Sequence, residues 1–222
     1  MKACIISGGH VEAALVKAYL SREPSACILA ADHGLVFCHE QHIRPDYIMG
    51  DFDSTDPDIV RQYREDGSIP IETFRPEKDL TDTDIAIQKA ISLAPEEVVL
   101  FGATGTRFDH SLSNVYNLYS FCRAGIPASI EDAHNRITLL DGGAYRLPGE
   151  KQYGDRISLF PFGGEVTGLT LEGVKYPVTD ATLTLADGGR FVSNEITGTE
   201  AVITWKKGIL LLMETSDTSR AG

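Results

Sequence analysis

The residues with the clearest chemical potential lie in "GDFDST", residues 50–55, directly after the apolar run "YIM". If that run ends a strand, Asp51 and Asp53 project to the same side, because side chains alternate in extended backbone. Two carboxylates on one side of a chain can hold a single cation. A turn is the simpler interpretation, since Asp and Ser favour turns and the following Asp56-Pro57 pair also indicates a loop.

A second acidic stretch reads "RPEKDLTDTDIAIQKA". Its apolar spacing predicts a helix, and Thr81 with Asp84 forms a capping-box pattern at the start of that helix. Capping explains Asp84, whereas Asp79 and Asp82 remain candidate ligand-binding residues. Lys78, beside them, is either a phosphate ligand or a neutralising neighbour in an acidic loop.

A third stretch, "LFGATGTRFDHSLSN", combines glycines with charged side chains. Glycine lets backbone approach a ligand closely, and the planar donor fork of Arg107 suits phosphate oxygens. Asp109 is either the N-cap of the next helix or a metal ligand, and His110 is either a base or a capping neighbour. The chain contains neither GxxxxGK[ST] nor GxGxxG, so it has no Walker A loop and no dinucleotide fingerprint.

The aspartates of these three stretches together suit Mg²⁺, which takes a few carboxylates, several waters and substrate phosphate oxygens. Carboxylates packed together repel one another, and a cation offsets that repulsion. Mg²⁺ also admits a polyphosphate to an acidic cleft. We therefore predict catalytic roles for Asp51, Asp53, Asp82 and Asp109, and we predict that Asp51, Asp53 and Asp82 are the metal ligands.

Predicted strands and helices, which could position these residues, alternate over residues 1–128. The runs "ACIIS", "ACILAAD", "DYIMGD" and "EEVVLFGA" predict strands, and "HVEAALVKAYLSRE", "DTDIAIQKAISLA" and "HSLSNVYNLYSFCRA" predict helices. This alternation is typical of an α/β fold with a largely parallel sheet covered by helices. Such sheets bind ligands beyond the carboxyl ends of their strands, where the candidate residues fall.

The alternation of strands and helices ends near "AGIPASIEDAH", after which short β-rich runs are separated by glycine turns. We therefore predict two domains: an α/β catalytic domain over residues 1–128, which holds the predicted Mg²⁺ ligands, and an antiparallel β-sandwich over residues 129–222.

The composition of the whole chain narrows the class of protein. Its 222 residues are 42% hydrophobic and 23% charged, as in an ordinary folded protein, and the net charge of -12 argues against sequence-independent nucleic-acid binding. We find no signal-peptide core and no membrane-spanning run, so we expect a cytoplasmic protein without a membrane partner. The four cysteines show no CxxC spacing, which favours core thiols in a reducing compartment.

Six motifs in a fixed order resemble the motif series of the thiamine pyrophosphokinase family. They are "GDFDS" (50–54), "KDLTDTD" (78–84), "GATGTRFDH" (102–110), "SLFPF" (158–162), "GLTLEGVKYP" (168–177) and "SNE" (193–195). The resemblance covers nearly the whole chain. It implies an α/β catalytic domain, a β-sandwich that helps to bind thiamine, and a homodimer with active sites at the subunit interface. The implied reaction transfers diphosphate from ATP to the thiamine hydroxyl with Mg²⁺, giving thiamine diphosphate and AMP.

The resemblance also implies binding residues for both substrates. Ser193 and Asn194 are expected to meet thiamine from the β-domain. One position departs from the family pattern ADGG, because this chain reads "ADHG"; a side chain at His33 is expected to narrow the nucleotide pocket or to alter the backbone. The residues expected around ATP are Asp32, Lys78, Asp79, Thr81, Arg107 and His110.

Two other functions fit part of the pattern. "DFDST" satisfies DxDx[TV], the phosphatase motif of the haloacid dehalogenase superfamily, in which Asp51 would be the nucleophile and Asp53 the general acid. That motif normally follows an early strand, whereas here a complete βαβ unit is predicted to precede it. The third function is a sensor that binds thiamine or a nucleotide without turnover.

Overall fold

The computed structural model describes residues 1–53, 55–73 and 81–219. The chain divides into two compact units: an N-terminal unit, Met1–Ala133, and a C-terminal unit that begins at His134. This division falls later than the boundary predicted after residue 128, because "ASIE" forms a strand of the first unit. Ser54, Lys78 and Asp79 lie outside the described residues.

The described part of the N-terminal unit is an α/β fold. Its six strands lie in the order β4-β3-β2-β1-β5-β6, and every neighbouring pair is parallel. The prediction of a largely parallel sheet with alternating helices is confirmed. The elements are β1 (Ala3–Ile6), α1 (Ala13–Arg22), β2 (Cys27–Ala31), α2 (Gly34–Glu40), β3 (Tyr47–Gly50), α3 (Pro57–Asp66), β4 (Ile71–Thr73), α4 (Asp82–Ser92), β5 (Val98–Phe101), α5 (Phe108–Ala124) and β6 (Ala128–Glu131).

Both faces of this sheet are covered, as the central strand β1 shows. All four of its residues are buried. Cys4 and Ile6 pack in one apolar cluster with Val16 of α1 and Leu35 of α2. Ile5 points to the opposite face, because side chains alternate along a strand, and α4 packs against β1, β2 and β3. The helices therefore fix the sheet from both sides and leave the strand ends to form a site.

Helix α3 begins at the pair that the sequence interpretation treated as a loop signal. Asp56 is its N-cap and accepts a hydrogen bond from the Asp58 N–H at 2.9 Å, Pro57 is its first residue, and the left-handed Gly67 ends it. Proline suits the first helical position because its missing N–H would have no partner in the helix. The loop interpretation of Asp56-Pro57 is therefore wrong.

The C-terminal unit is built from antiparallel strands, as predicted. The long strand β9 pairs through its first half with β12, which pairs with β7; the second half pairs with β10 and β11, and β11 pairs with β8. An apolar core gathers side chains from both halves of β9, among them Ile157 and Leu169. The strands are β7 (Asn135–Asp141), β8 (Ala144–Pro148), β9 (Arg156–Glu172), β10 (Val178–Leu183), β11 (Glu200–Thr204) and β12 (Lys207–Thr215).

No helix in the described part of the chain is both long enough and apolar enough to cross a membrane.

Candidate active site

Three carboxylates meet at the carboxyl ends of two adjacent strands. Strands β2 and β3 pair with Ala31 opposite Met49, so Asp32 and Asp51 leave the sheet side by side. Asp32, Asp51 and Asp53 each offer one carboxylate oxygen, and these three atoms lie within 4.8 Å of one another. We call these three residues the carboxylate cluster. It contains Asp51 and Asp53 of the predicted metal set, together with Asp32, which was predicted to bind ATP.

The backbone around the cluster is held in an uncommon conformation. Asp32 and Phe52 have φ values of 48° and 59°, in the left-handed region that side chains rarely adopt. The Asp32 N–H donates to the Met49 carbonyl at 2.9 Å, and the Asp53 N–H donates to Asp51 Oδ1 at 3.2 Å. Thr55 Oγ1 donates to Asp32 Oδ1 at 3.4 Å. The turn interpretation of "GDFDS" is thus correct for the backbone, and the same turn brings the carboxylates together.

A cleft of about 430 Å³ lies in the N-terminal unit, and Asp32 belongs both to its wall and to the carboxylate cluster. The cleft is also lined by the loop after β1, the start of α4 and the loop after β5. Among the described residues, Asp82 and Asp109 are not members of the carboxylate cluster. The predicted site residues in the cleft wall are Asp32, Thr81, Asp82, Arg107 and His110.

Two glycine loops interlock at one side of this cleft. The Gly9 N–H donates to the Gly102 carbonyl at 2.8 Å. A Cβ atom on Gly9 would lie 2.4 Å from the carbonyl oxygens of both Gly102 and Thr104, which is too close for any side chain. Gly102 itself has φ 66°. The loops after β1 and β5 can therefore meet only because glycine occupies both positions.

The start of α4 is capped as the sequence predicts. Thr81 N–H donates to Asp84 Oδ2 at 2.8 Å, and Asp84 N–H donates to Thr81 Oγ1 at 3.2 Å. Asn117 Nδ2 of α5 donates to the other oxygen of Asp84. The capping interpretation of Asp84 is confirmed, and it leaves Asp82, the first residue of α4, in the cleft wall.

The start of α5 differs from the sequence interpretation. The helix begins at Phe108 with Arg107 at the N-cap position, so Asp109 is not the N-cap. Asp109 instead accepts hydrogen bonds from Arg107 Nε at 3.2 Å and from a terminal guanidinium nitrogen at 2.6 Å. The bonds from Arg107 lower the pKa of Asp109, so this exposed carboxylate stays ionised. His110 is exposed and lines the cleft.

Ser193 and Asn194 lie in the C-terminal unit before β11. Asn194 is buried, with its side chain hydrogen-bonded to both backbone groups of Tyr176. Ser193 is exposed, has φ 55°, and donates its N–H to Ser158 Oγ at 3.0 Å. Ser193 therefore presents its side chain to solvent, whereas Asn194 holds a neighbouring segment.

Sequence reasoning did not select several residues of the cleft wall. His10 lies there and makes a 2.9 Å contact with Glu12, and Asn114 lies there and donates to the Ala103 carbonyl at 2.7 Å. The position of His10 directly after the first strand and its glycine pair was the available signal. Asn114 lies inside a helix and gave no signal.

His33 occupies an ordinary backbone conformation, with φ -60° and ψ -17°, and its side chain is exposed. The backbone at this position therefore does not require glycine. The next residue does, because a Cβ atom on Gly34 would lie 2.0 Å from the Ile6 carbonyl oxygen. Among the described residues, His33 is absent from the cleft wall, so the expected narrowing of the pocket is not seen.

Fold and site together define a class of protein: an α/β unit with an acidic, glycine-lined cleft at its strand ends, followed by an antiparallel β-unit. Residues 19–130 match the family model "Thiamin pyrophosphokinase, catalytic domain", and residues 144–210 match "Thiamin pyrophosphokinase, vitamin B1 binding domain". The chain belongs to the thiamin pyrophosphokinase family.

Individual relatives agree with this assignment. The thiamine pyrophosphokinase of Bacillus subtilis is 33% identical over 193 residues, which cover 85% of this chain and 87% of the relative. The crystal structure of thiamine pyrophosphokinase from Bacillus subtilis superposes with a TM-score of 0.87 at 29% identity, covering 98% of this chain and 100% of that one. The structure from Geobacillus thermodenitrificans gives a TM-score of 0.84 at 28% identity and covers 98% of each chain.

Proposed function

We propose that the protein transfers a diphosphate group from ATP to the hydroxyl of thiamine, giving thiamine diphosphate and AMP. Family membership supports the class of reaction. The observation that carries the proposal at the level of residues is the carboxylate cluster, which shares Asp32 with the cleft of the catalytic unit.

The donor set of the cluster fits Mg²⁺. Asp32, Asp51 and Asp53 offer hard carboxylate oxygens that lie within 4.8 Å of one another, which is close enough to share one cation. Bound Mg²⁺ would neutralise charge on these carboxylates and on the phosphate oxygens of ATP. We propose that the cluster holds this ion and that Asp82, the third predicted ligand, acts from the cleft wall.

The remaining cleft residues are assigned to the phosphates. Arg107 uses two donor nitrogens on Asp109, which leaves further guanidinium N–H groups for phosphate oxygens. Asp109 thus acts by holding Arg107, which replaces its predicted part in the metal platform. Thr81 and His110 line the same cleft. The proposed roles of Lys78 and Asp79 in ATP binding concern residues outside the described ranges.

The chemical step needs positioning more than covalent chemistry. The thiamine hydroxyl oxygen forms a bond to the β-phosphorus of ATP and releases its proton to solvent, the bond from that phosphorus to the α,β-bridging oxygen breaks, and AMP leaves with that oxygen. The residues of the cleft align the two substrates and offset the charge that develops on the leaving group. No side chain of the protein becomes phosphorylated.

The test is to incubate the purified protein with ATP, Mg²⁺ and thiamine and to quantify the products. We expect AMP and thiamine diphosphate in equal amounts, and no AMP when thiamine is omitted. Absence of both products from a well-folded sample would refute the proposal. Inorganic phosphate released without thiamine would instead indicate the phosphatase, and saturable thiamine binding without AMP would indicate the sensor.

The phosphatase alternative is not favoured. "DFDST" follows β3, and a complete β1-α1-β2 unit precedes it, as the sequence predicts. Both units also match domain models of the thiamin pyrophosphokinase family. The predicted homodimer with active sites at the interface and the predicted cytoplasmic location stay predictions.

A further inference from the structure

We propose that the ring of Tyr176 is a surface on which thiamine stacks, and that Asn194 is the residue that positions this ring. The inference rests on the proposed function, since it assigns the thiamine-binding role to particular side chains. Thiamine consists of two flat heteroaromatic rings, one of them cationic. A protein binds such rings best by presenting an exposed aromatic face in a fixed place.

Asn194 fixes the backbone of Tyr176. Its Oδ1 accepts from the Tyr176 N–H at 3.0 Å, and its Nδ2 donates to the Tyr176 carbonyl at 3.0 Å. The same Oδ1 also accepts from the Glu195 N–H at 3.0 Å. Asn194 is only 6% exposed. A buried amide committed in this way is poorly placed to bind a ligand directly, but it is well placed to hold Tyr176 still.

Backbone hydrogen bonds also hold Asn194 and the residues that precede Tyr176 in place. Asn194 exchanges two backbone bonds of 2.9 Å with Ile157 of β9, which anchors it to the core of the unit. The Lys175 N–H donates to the Glu195 carbonyl, and the Thr197 N–H donates to the Gly173 carbonyl, each at 2.9 Å. The segment that leads to Tyr176 is therefore hydrogen-bonded at Gly173 and Lys175 to residues 195–197.

The ring of Tyr176 is nevertheless exposed. Its exposed fraction is 60%, whereas Tyr153, Phe191 and Trp205 of the same unit are at most 6% exposed. Residues 144–210, which match the vitamin B1 binding model, are all described, and the other strongly exposed apolar side chains among them are aliphatic. Tyr145, Phe160 and Phe162 are only partly exposed, so Tyr176 is the most exposed aromatic ring of residues 144–210.

The charges beside the ring are balanced, which suits a cationic ligand. Lys175 Nζ lies 5.7 Å from the centre of the Tyr176 ring, and it donates to Glu195 Oε1 at 3.1 Å. Glu195 also pairs with Arg156, whose Nε lies 3.9 Å from Asp155 Oδ2, so two carboxylates face two cations. The hydrogen bond from Lys175, and then Arg156, lower the pKa of Glu195, so its negative charge persists and offsets the ammonium. A thiazolium ring can therefore approach Tyr176 without meeting an unopposed positive charge.

The first experiment compares variants of the full-length protein in the thiamine and ATP assay. We expect Tyr176→Ala to raise the KM for thiamine about tenfold or more, because stacking on an aromatic ring is lost, while the KM for ATP and the melting temperature stay unchanged. Tyr176→Phe and Tyr176→Trp should stay within about threefold of the parent. Leu185→Ala, on the same unit and 85% exposed, is the matched control.

Three results would overturn the stacking role. They are an unchanged KM for thiamine in Tyr176→Ala, an equal rise in the KM for both substrates, and a Tyr176→Phe variant as impaired as Tyr176→Ala. Titration calorimetry with thiamine alone separates this inference from the proposed function. If the parent binds thiamine but makes no AMP, and Tyr176→Ala loses that binding, the proposed function fails and the stacking role stands.

A double-mutant cycle tests the positioning role of Asn194. If Asn194 acts through Tyr176, Asn194→Ala should raise the KM for thiamine in the parent but cause little further rise in the Tyr176→Ala background. Additive effects on the KM would show that Asn194 contacts thiamine itself, and the positioning role would be wrong. Dissociation constants for thiamine, measured by calorimetry on the same four proteins, give the same double-mutant cycle without turnover.

Discussion

The carboxylate cluster concentrates like charge where the turns after β2 and β3 meet, which costs stability unless a cation is bound. Asp51→Asn or Asp53→Asn removes one of the repelling charges, so we expect the melting temperature of the metal-free protein to stay equal or to rise. Turnover should fall below detection, because each variant loses a proposed ligand. Differential scanning fluorimetry and the AMP assay measure the two effects.

The effect of Mg²⁺ on the melting temperature tests the metal site more directly. A ligand that binds only the folded state raises the melting temperature, so millimolar MgCl₂ should stabilise the parent beyond NaCl of equal ionic strength. In Asp51→Asn, MgCl₂ should raise the melting temperature no more than NaCl of equal ionic strength. Asp58→Asn, an exposed acid of α3 outside the cluster, should keep the extra stabilisation by MgCl₂. A large loss of metal-free stability in Asp51→Asn would mean that this side chain serves mainly to build the turn.

The cysteines give a prediction that depends on pH. Burial raises the pKa of Cys27 to about 11 and that of Cys38 to about 12, and it raises the pKa of Cys4 further, so these thiols carry no thiolate at neutral pH. Cys122 is only half-buried. Because the thiolate is the reactive form, Ellman's reagent at pH 8 should label one thiol of the native protein rapidly and all four after denaturation.

The Cys122→Ser variant identifies the reacting thiol. We expect it to lose the rapid phase and to keep three slow thiols. Rapid labelling that survives in Cys122→Ser would show that one of the core cysteines is more accessible than its burial indicates. Raising the pH towards 11 should accelerate the slow phase, first at Cys27, because its pKa is the lower of the two given above.

At the scale of elements, the order of the strands decides which loops meet, and no local pattern in the sequence specifies that order. Neighbouring β2 and β3 bring Asp32 to Asp51, and neighbouring β1 and β5 bring Gly9 to Gly102. The sequence placed all of these residues after strands, which is why the position of the site was predictable. The sequence did not indicate that Asp32 would join Asp51 and Asp53 in the cluster; Asp82 lies in the cleft wall, and its role as a metal ligand stays a prediction.

The elements missed by sequence reasoning have local causes. Helix α2 has seven residues and strand β4 has three, so each is shorter than the run over which apolar spacing can be recognised. Helix α3 carried clear end signals in Asp56-Pro57 and Gly67, but the pair was interpreted as a loop. Strand β6 joins the edge of the parallel sheet, which moves the boundary of the unit beyond residue 128.

The interlocked loops give a prediction for the elements that form the cleft. Gly9→Ala places a methyl group 2.4 Å from two carbonyl oxygens, so the loops after β1 and β5 must separate. We expect a loss of about 1–3 kcal/mol in the free energy of unfolding, as for other overpacked sites. The KM for ATP should rise because both loops line the cleft.

Gly105→Ala is the matched control for stability in the same pair of loops. Its nearest neighbour would be 3.7 Å from the added methyl group, which is an ordinary contact. Urea denaturation of both variants measures the difference. Equal stability of Gly9→Ala and Gly105→Ala would show that the loops can relax and that their close approach does not constrain the cleft.

At the scale of the whole molecule, the net charge of -12 acts on the two proposed substrates in opposite directions. Thiamine is a cation and the magnesium complex of ATP is an anion, so the field of the protein attracts the first and repels the second. Salt screens both effects over a Debye length of about 10 Å at 0.1 M. We therefore expect the KM for thiamine to rise and the KM for ATP to fall as ionic strength increases from about 0.05 to 0.3 M at constant free Mg²⁺. KCl and tetramethylammonium chloride should give the same slopes, because screening does not depend on the identity of the ion. Two KM values that move in the same direction would mean that salt acts on the fold or on the metal rather than through the long-range field.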